Sequence, residues 1–203
     1  MFKTVIFDLG GVYFTNGTRK AVDVIAVRYD LAPAAVEDIL NGDLGEQYRA
    51  GKLSGEQFWQ RAKGCWNLEA GTEDLSRQWN SSYRPNWGTV GLVERLRNSG
   101  YELLYLSDNT VERVAYLEQK YNFLQKFDDG IFSHIVKCKK PDPKIYKLLL
   151  DQTSQPATAC VYIDDKPEYL VPAKQLGMEV IAFENAAQLE LRLKELALLA
   201  NES

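Results

Sequence analysis

The chain has 203 residues, 45% hydrophobic and 26% charged, the make-up of a globular protein long enough to bury a sizeable core. A net charge of -4 supplies no electrostatic pull toward nucleic acid or an anionic membrane, so neither is expected as a partner. No apolar run approaches the ~20 residues that span a bilayer.

The first segment, Lys3 to Val12, reads KTVIFDLGGV. Thr4, Val5, Ile6 and Phe7 form a short apolar run that ends abruptly in turn residues, the pattern of a buried central strand. Asp8 then stands at the carboxyl end of that strand, where open α/β sheets place their ligands, and Gly10 and Gly11 leave the adjoining backbone uncovered. The residues by themselves allow two readings, a carboxylate presented to an anion or metal and a plain turn cap. The strand starts so close to Met1 that no signal peptide is expected, and a cytoplasmic location follows as the expectation.

From Asn16-Gly17 to about Arg84 the period is helical. Helices are expected over Lys20 to Tyr29 and, opened by Pro33, over Ala34 to Leu40. Another begins at the capping box Ser54 to Gln57, and another covers Thr72 to Tyr83. With no strand pattern among them, they are expected to form a small helical subdomain. Tyr48, Phe58, Trp59, Trp66 and Trp79 are read as its own core.

Beyond Arg84-Pro85 helix and strand alternate. Strands are expected at Glu102 to Leu106, Gly130 to Val136, Ala159 to Ile163 and Glu179 to Phe183. Between and after them come helices at Thr89 to Asn98, Val111 to Tyr121, Lys144 to Asp151 and Glu168 to Leu176, and a last one capped by Asn185 and Gln188. Such alternation means βαβ units and a doubly wound, Rossmann-like parallel sheet.

Cys65, Cys138 and Cys160 are odd in number and widely spaced, so free thiols are expected. A single histidine, His134, disfavours a His-based triad or a zinc site.

Three predicted strands end in polar groups: Asp8, Ser107 and the pair Asp164-Asp165. Lys140 precedes a helix in the same half of the chain. A parallel sheet gathers such ends at one edge. Clustered carboxylates raise one another's pKa unless a cation joins them, and hard oxygen ligands suit Mg2+. A metal and an ammonium together neutralise a phosphoryl group that a carboxylate can attack.

These segments resemble the haloacid dehalogenase (HAD) superfamily. Asp8-Leu9-Gly10-Gly11-Val12, Ser107, Lys140-Pro141-Asp142-Pro143 and Ile163-Asp164-Asp165 look like its four motifs in order, and the helical insertion looks like its type 1 cap. The resemblance implies an α/β core over residues 1–14 and 85–203 and a cap over 15–84. It implies Asp8 as nucleophile, carried through an aspartyl phosphate. Asp8, the Gly10 carbonyl, Asp164 and Asp165 are the implied Mg2+ ligands, Asp165 serving either the metal or the orientation of Lys140. Ser107, bonding the phosphoryl oxygens, and Lys140, pairing with both Asp8 and the phosphate, are implied as catalytic and substrate-binding residues beside Asp8, and Asp108 and Asn109 are expected as further substrate-binding residues.

One departure stands out. Phosphatases of that family usually carry an acid-base Asp two residues after the nucleophile, and here that place is Gly10. Asp108 is a candidate substitute, though a solvent-facing turn residue is the plainer expectation. A DLGGV-type branch resembling glucose-1-phosphatases fits the loss, because a hemiacetal oxygen leaves more readily than an ordinary alcohol. Tyr169, where relatives often have Asn, is a second departure.

The expectation is a Mg2+-dependent phosphatase of a small phosphorylated metabolite, monomeric or homodimeric, with Tyr13, Tyr48, Arg49 and Trp59 as candidates for choosing the substrate. Haloacid dehalogenation and a catalytically impaired binding role are the alternatives.

Overall fold

The computed structural model describes residues 1–200 and shows a five-stranded sheet in which every pairing is parallel. Strand β1 (Thr4–Phe7) is buried along its whole length, the environment its β-branched and aromatic residues fill best. The chain then leaves the sheet for five helices: α1 (Gly17–Tyr29), α2 (Pro33–Leu40), α3 (Asp43–Arg49), α4 (Gly55–Trp66) and α5 (Thr72–Ser81). It returns through α6 (Trp87–Asn98) into β2 (Glu102–Ser107). The remaining elements alternate as α7 (Val111–Tyr121), β3 (Asp129–Phe132), α8 (Ser133–Val136), α9 (Pro143–Leu150), β4 (Cys160–Asp164), α10 (Pro167–Gln175), β5 (Glu179–Ala182) and α11 (Ala186–Glu195).

The strand order is β3-β2-β1-β4-β5, so the direction of winding reverses between β1 and β4. The period-two alternation of each strand divides the core in two. Val5, Phe7, Leu103, Val161 and Ile163 join the apolar cluster that contains Leu96 of α6 and Leu193 of α11. Ile6, Leu104 and Tyr162 join the other, with Ile145, Tyr146 and Leu149 of α9. Each fully buried Val, Leu, Ile or Phe side chain contributes about 1.5–3 kcal/mol.

The aromatics expected to be core, Tyr48, Phe58, Trp59, Trp66 and Trp79, are buried, in one cluster with Val5 and Phe7 of β1. Tyr48 stacks on Phe58 with centroids 4.5 Å apart, and Trp59 meets Trp79 edge-on at 5.8 Å. The Ser54 capping box is formed in both directions. The sequence pattern missed α3, where Gly45 sits so close to the preceding helix that an added Cβ would lie 2.1 Å from the Leu40 carbonyl oxygen. Close helix approach through a glycine leaves no apolar stripe to detect.

The expected strand over Gly130 to Val136 is corrected: it stops at Phe132, and Ser133–Val136 make a helical turn. Polar contacts decide this. The Ser133 hydroxyl donates to the Arg49 carbonyl at 2.6 Å and accepts from the Asn109 amide at 3.1 Å, and His134 Nδ1 donates to the Asn109 carbonyl at 3.0 Å. His134 is thereby a structural residue. All three cysteines are free, Cys138 and Cys160 buried and Cys65 exposed. Among the described residues no helix is long and apolar enough to cross a membrane.

Candidate active site

The carboxyl ends of β1 and β4 flank the point where the strand order reverses, the place where open α/β sheets form a crevice. Asp8 follows β1, its amide bonded to the Ile163 carbonyl at 2.9 Å, and Asp164 is the last residue of β4. Lys140 enters from the loop before α9. Its Nζ lies 2.8 Å from Asp8 Oδ1 and 2.6 Å from Asp164 Oδ2, and it donates to the Tyr162 hydroxyl at 3.2 Å. Tyr162 also donates to Asp164 Oδ2. The three charged groups are almost wholly enclosed: Asp8 is 5% exposed, Lys140 1% and Asp164 0%.

Taking an ion out of water costs several kcal/mol unless it is paired, which is why the ammonium sits between two carboxylates. Burial pushes the Asp8 carboxyl up to about 8, against the pull of Lys140 and with a further push from Asp164. Burial opposes the Lys140 ammonium, but Asp164 and Asp8 overcome it and hold its pKa well above the lysine range. The site is therefore short of positive charge for keeping Asp8 ionised.

The residues present fit a metal ion. Oxygens of Asp8, Asp164 and Asp165 all lie within 4.8 Å of one another. Asp165 Oδ1 is buried with no hydrogen-bond partner, an arrangement that costs free energy until a donor or cation meets it. Asp164 is the more committed of the pair, with Oδ2 shared by Lys140 and Tyr162 and Oδ1 accepting from the Lys166 amide at 2.9 Å. Among the described residues Asp165 makes no hydrogen bond to Lys140, whereas Asp8 and Asp164 both accept from it. Gly11 holds φ +104, and a Cβ there would lie 2.2 Å from Asp165 Oδ2. The glycine is what lets the Asp165 carboxylate close over this loop.

A cavity of about 360 Å3 opens above this cluster. Asp8, Gly10, Asp108, Lys140 and Asp165 line it, whereas Ser107 and Asn109 are not among its lining residues and are 1% and 4% exposed. Asn109 Oδ1 accepts from the Thr110 amide at 3.0 Å. The expectation of a solvent-facing Asp108 is corrected: its Oδ1 accepts from the Lys140 amide at 3.1 Å, and burial, partly offset by Lys140, raises its carboxyl pKa.

Of the four candidates for substrate choice, only Arg49 lines the cavity. Tyr13 packs on Phe14 and Phe127, Tyr48 donates to Glu112, and Trp59 belongs to the helical core. Sequence reasoning missed Arg113, Tyr83, Lys166 and Tyr169, which all line it. Arg113 left a signal, since it lies four residues before Leu117 on the buried stripe of α7. Tyr169 puts its ring 4.9 Å from both Lys140 Nζ and Lys166 Nζ.

Residues 2–177 match the haloacid dehalogenase-like hydrolase family. The chain is 28% identical over 180 residues to the sesquiterpene phosphatase astK of Aspergillus oryzae, covering 87% of each. It is 23% identical over 197 residues to a D-ribitol-5-phosphate phosphatase of Bacteroides thetaiotaomicron, covering 92% of this chain and 94% of that one. In fold it resembles a HAD family enzyme from Bacteroides thetaiotaomicron crystallised with magnesium and inorganic phosphate, with TM-score 0.75 and 19% identity, covering 91% of this chain and 96% of that one. The chain belongs to the haloacid dehalogenase-like hydrolase family.

Proposed function

We propose that this hydrolase is a Mg2+-dependent phosphatase of small phosphorylated metabolites, sugar phosphates among them, using Asp8 as a covalent nucleophile. The observation that carries the reading is the Lys140 ammonium fixed between Asp8 and Asp164 beside the partnerless oxygen of Asp165. The phosphatase relatives and the magnesium and phosphate bound by the fold neighbour support it. Asp8, the Gly10 carbonyl, Asp164 and Asp165 would hold Mg2+. When bound, the ion supplies the positive charge that keeps Asp8 ionised and neutralises phosphoryl oxygens.

Lys140 holds Asp8 Oδ1, and Oδ2 has no hydrogen-bond partner among the described residues. That second oxygen attacks phosphorus as the bond to the ester oxygen breaks, giving an aspartyl phosphate and an alkoxide that must take a proton. Water then attacks the phosphorus of the aspartyl phosphate, releasing inorganic phosphate and regenerating Asp8. Lys140 remains in place to stabilise the charge on both transition states. Residues 15–84 act as a type 1 cap that excludes water over the cavity. With Gly10 in the acid-base position the chain fits the DLGGV-type, glucose-1-phosphatase-like branch, whose leaving groups need the least protonation.

The test is phosphate release from sugar phosphates, nucleotides and p-nitrophenyl phosphate, with Mg2+ and with EDTA, beside Asp8→Asn. Release that needs Mg2+ and vanishes in the variant is expected. Release that persists in EDTA, or survives Asp8→Asn, contradicts the reading.

A further inference from the structure

Arg113 is the least explained group in the molecule. Only 2% of it is exposed, and no carboxylate pairs with it among the described residues. The nearest acidic neighbour in sequence, Glu112, is taken by the Tyr48 hydroxyl. Its Nη1 makes one long bond, 3.5 Å to Asn109 Oδ1, while Nε and Nη2 are buried without any partner. Those two atoms form one edge of the guanidinium, the pair of parallel N–H donors that matches both oxygens of a carboxylate or phosphate.

The surroundings hold that edge in place without neutralising it. The guanidinium carbon lies 4.1 Å from the Trp79 ring centroid and 4.5 Å from that of Tyr83. Tyr83 is pressed on Gly17, where a Cβ would lie 2.2 Å from its ring, and its hydroxyl is 2.6 Å from that of Thr18. Trp79 Nε1 donates to the same Thr18 hydroxyl at 3.0 Å. Ring faces offset part of the cost of a desolvated cation but satisfy none of its N–H donors. Burial accordingly depresses the Arg113 pKa, and the charge of Arg49 adds to that depression. Arg113, Arg49 and Tyr83 line the same cavity as Asp8.

We propose that Arg113 is a substrate-binding residue and that the preferred substrate is a small phosphomonoester carrying a second oxyanion, which pairs with the Arg113 guanidinium at the cavity wall and meets the donors that the protein leaves without partners. This rests on the phosphatase reading for its chemistry and adds the class of substrate. Carboxylate and second phosphate share the chemistry that the edge recognises. The cavity volume of about 360 Å3 suits a compact metabolite of either kind.

The test compares esters that differ in one group: 3-phosphoglycerate against glycerol 3-phosphate for the carboxylate, and glucose 1,6-bisphosphate against glucose 1-phosphate for the second phosphate, the latter pair keeping the hemiacetal leaving group. In wild type, kcat/KM is expected to favour the acidic member of at least one pair by about 10- to 100-fold, the size of a charge-assisted bidentate contact. Arg113→Met is expected to bring that ratio to about one, mainly through KM, with Arg113→Lys in between. Melting separates a structural role: if Arg113 only clamps Trp79 and Tyr83, Arg113→Met lowers Tm and depresses both esters alike, which overturns the proposal. Calorimetric binding of the same esters to Asp8→Asn, with and without Arg113→Met, reads the preference where no turnover is seen. A loss of all Mg2+-dependent turnover with the binding preference intact refutes the phosphatase reading alone. Equal binding of both members in both pairs refutes the assignment of Arg113.

Discussion

Replacing Gly10 by Asp restores the carboxylate that related phosphatases carry two residues after the nucleophile. The backbone accepts the Cβ of a side chain there: a Cβ at Gly10 meets only Tyr83 Cε1, at 3.8 Å, an ordinary van der Waals distance. No positive φ is required there, unlike at Gly11, so the backbone change acts mainly on the unfolded chain and alters stability by about 1 kcal/mol or less. The gain in rate is larger. General acid-base help is worth ~10²- to 10⁴-fold, or about 2.7–5.4 kcal/mol of barrier. Steady-state kcat on an alkyl ester such as 3-phosphoglycerate and on p-nitrophenyl phosphate separates the effects, because p-nitrophenolate leaves without a proton. The alkyl ester is expected to gain at least roughly tenfold more than the aryl ester. A folded, Mg2+-binding variant with the same factor on both, or no gain on either, refutes the idea that Gly10 marks a missing acid.

Gly11→Ala is the contrasting neighbour: its φ of +104 and the overlap with the Asp165 carboxylate predict a loss of Mg2+ affinity along with lower Tm, and an unperturbed Mg2+ titration would contradict the placement of Asp165. Asp165→Asn keeps the shape but removes the charge, so the Mg2+ needed for half-maximal activity should rise by about tenfold or more, checked by titration against kcat. Protonation gives a further sign-specific outcome. Asp8 is raised from 3.8 to about 8 in the metal-free folded state, so that state alone holds the proton between those values. Its contribution to stability is full below pH 3.8 and is lost as pH rises through about 8. Chemical denaturation of metal-free protein should show that decline, and Asp8→Asn should lack it. Stabilisation by Mg2+ should grow over the same window, because binding displaces the proton.

Much of the architecture was legible because local and tertiary preferences agree. Thr110 caps α7, which spans Val111 to Tyr121 as its period predicts, and Ser54 opens α4 with both capping bonds. The apolar run from Thr4 to Phe7 became the central strand, and strand ends delivered Asp8 and Asp164 to one edge. Failures fell where tertiary contacts overrule pattern. The stretch Ile131 to Val136 is apolar enough for a strand, but Ser133 and His134 tie it to Asn109 and turn it into a helix. Tyr13, Tyr48 and Trp59 are as able to bind a ligand as to fill a core, and only packing decided for the core. The spacing of Arg113 from Leu117 marks it as facing inward, but a charge in an amphipathic helix is normally solvated, and nothing in VERVAYLEQK tells that its guanidinium faces Trp79 and Tyr83.

The most direct test of the proposed chemistry is to quench the protein in acid during turnover with Mg2+ and locate phosphate by mass spectrometry. Phosphate on the peptide that contains Asp8, absent with EDTA and absent in Asp8→Asn, is the expected result. Release of inorganic phosphate with no acyl phosphate on Asp8, or with label on another residue, would contradict Asp8 as the nucleophile.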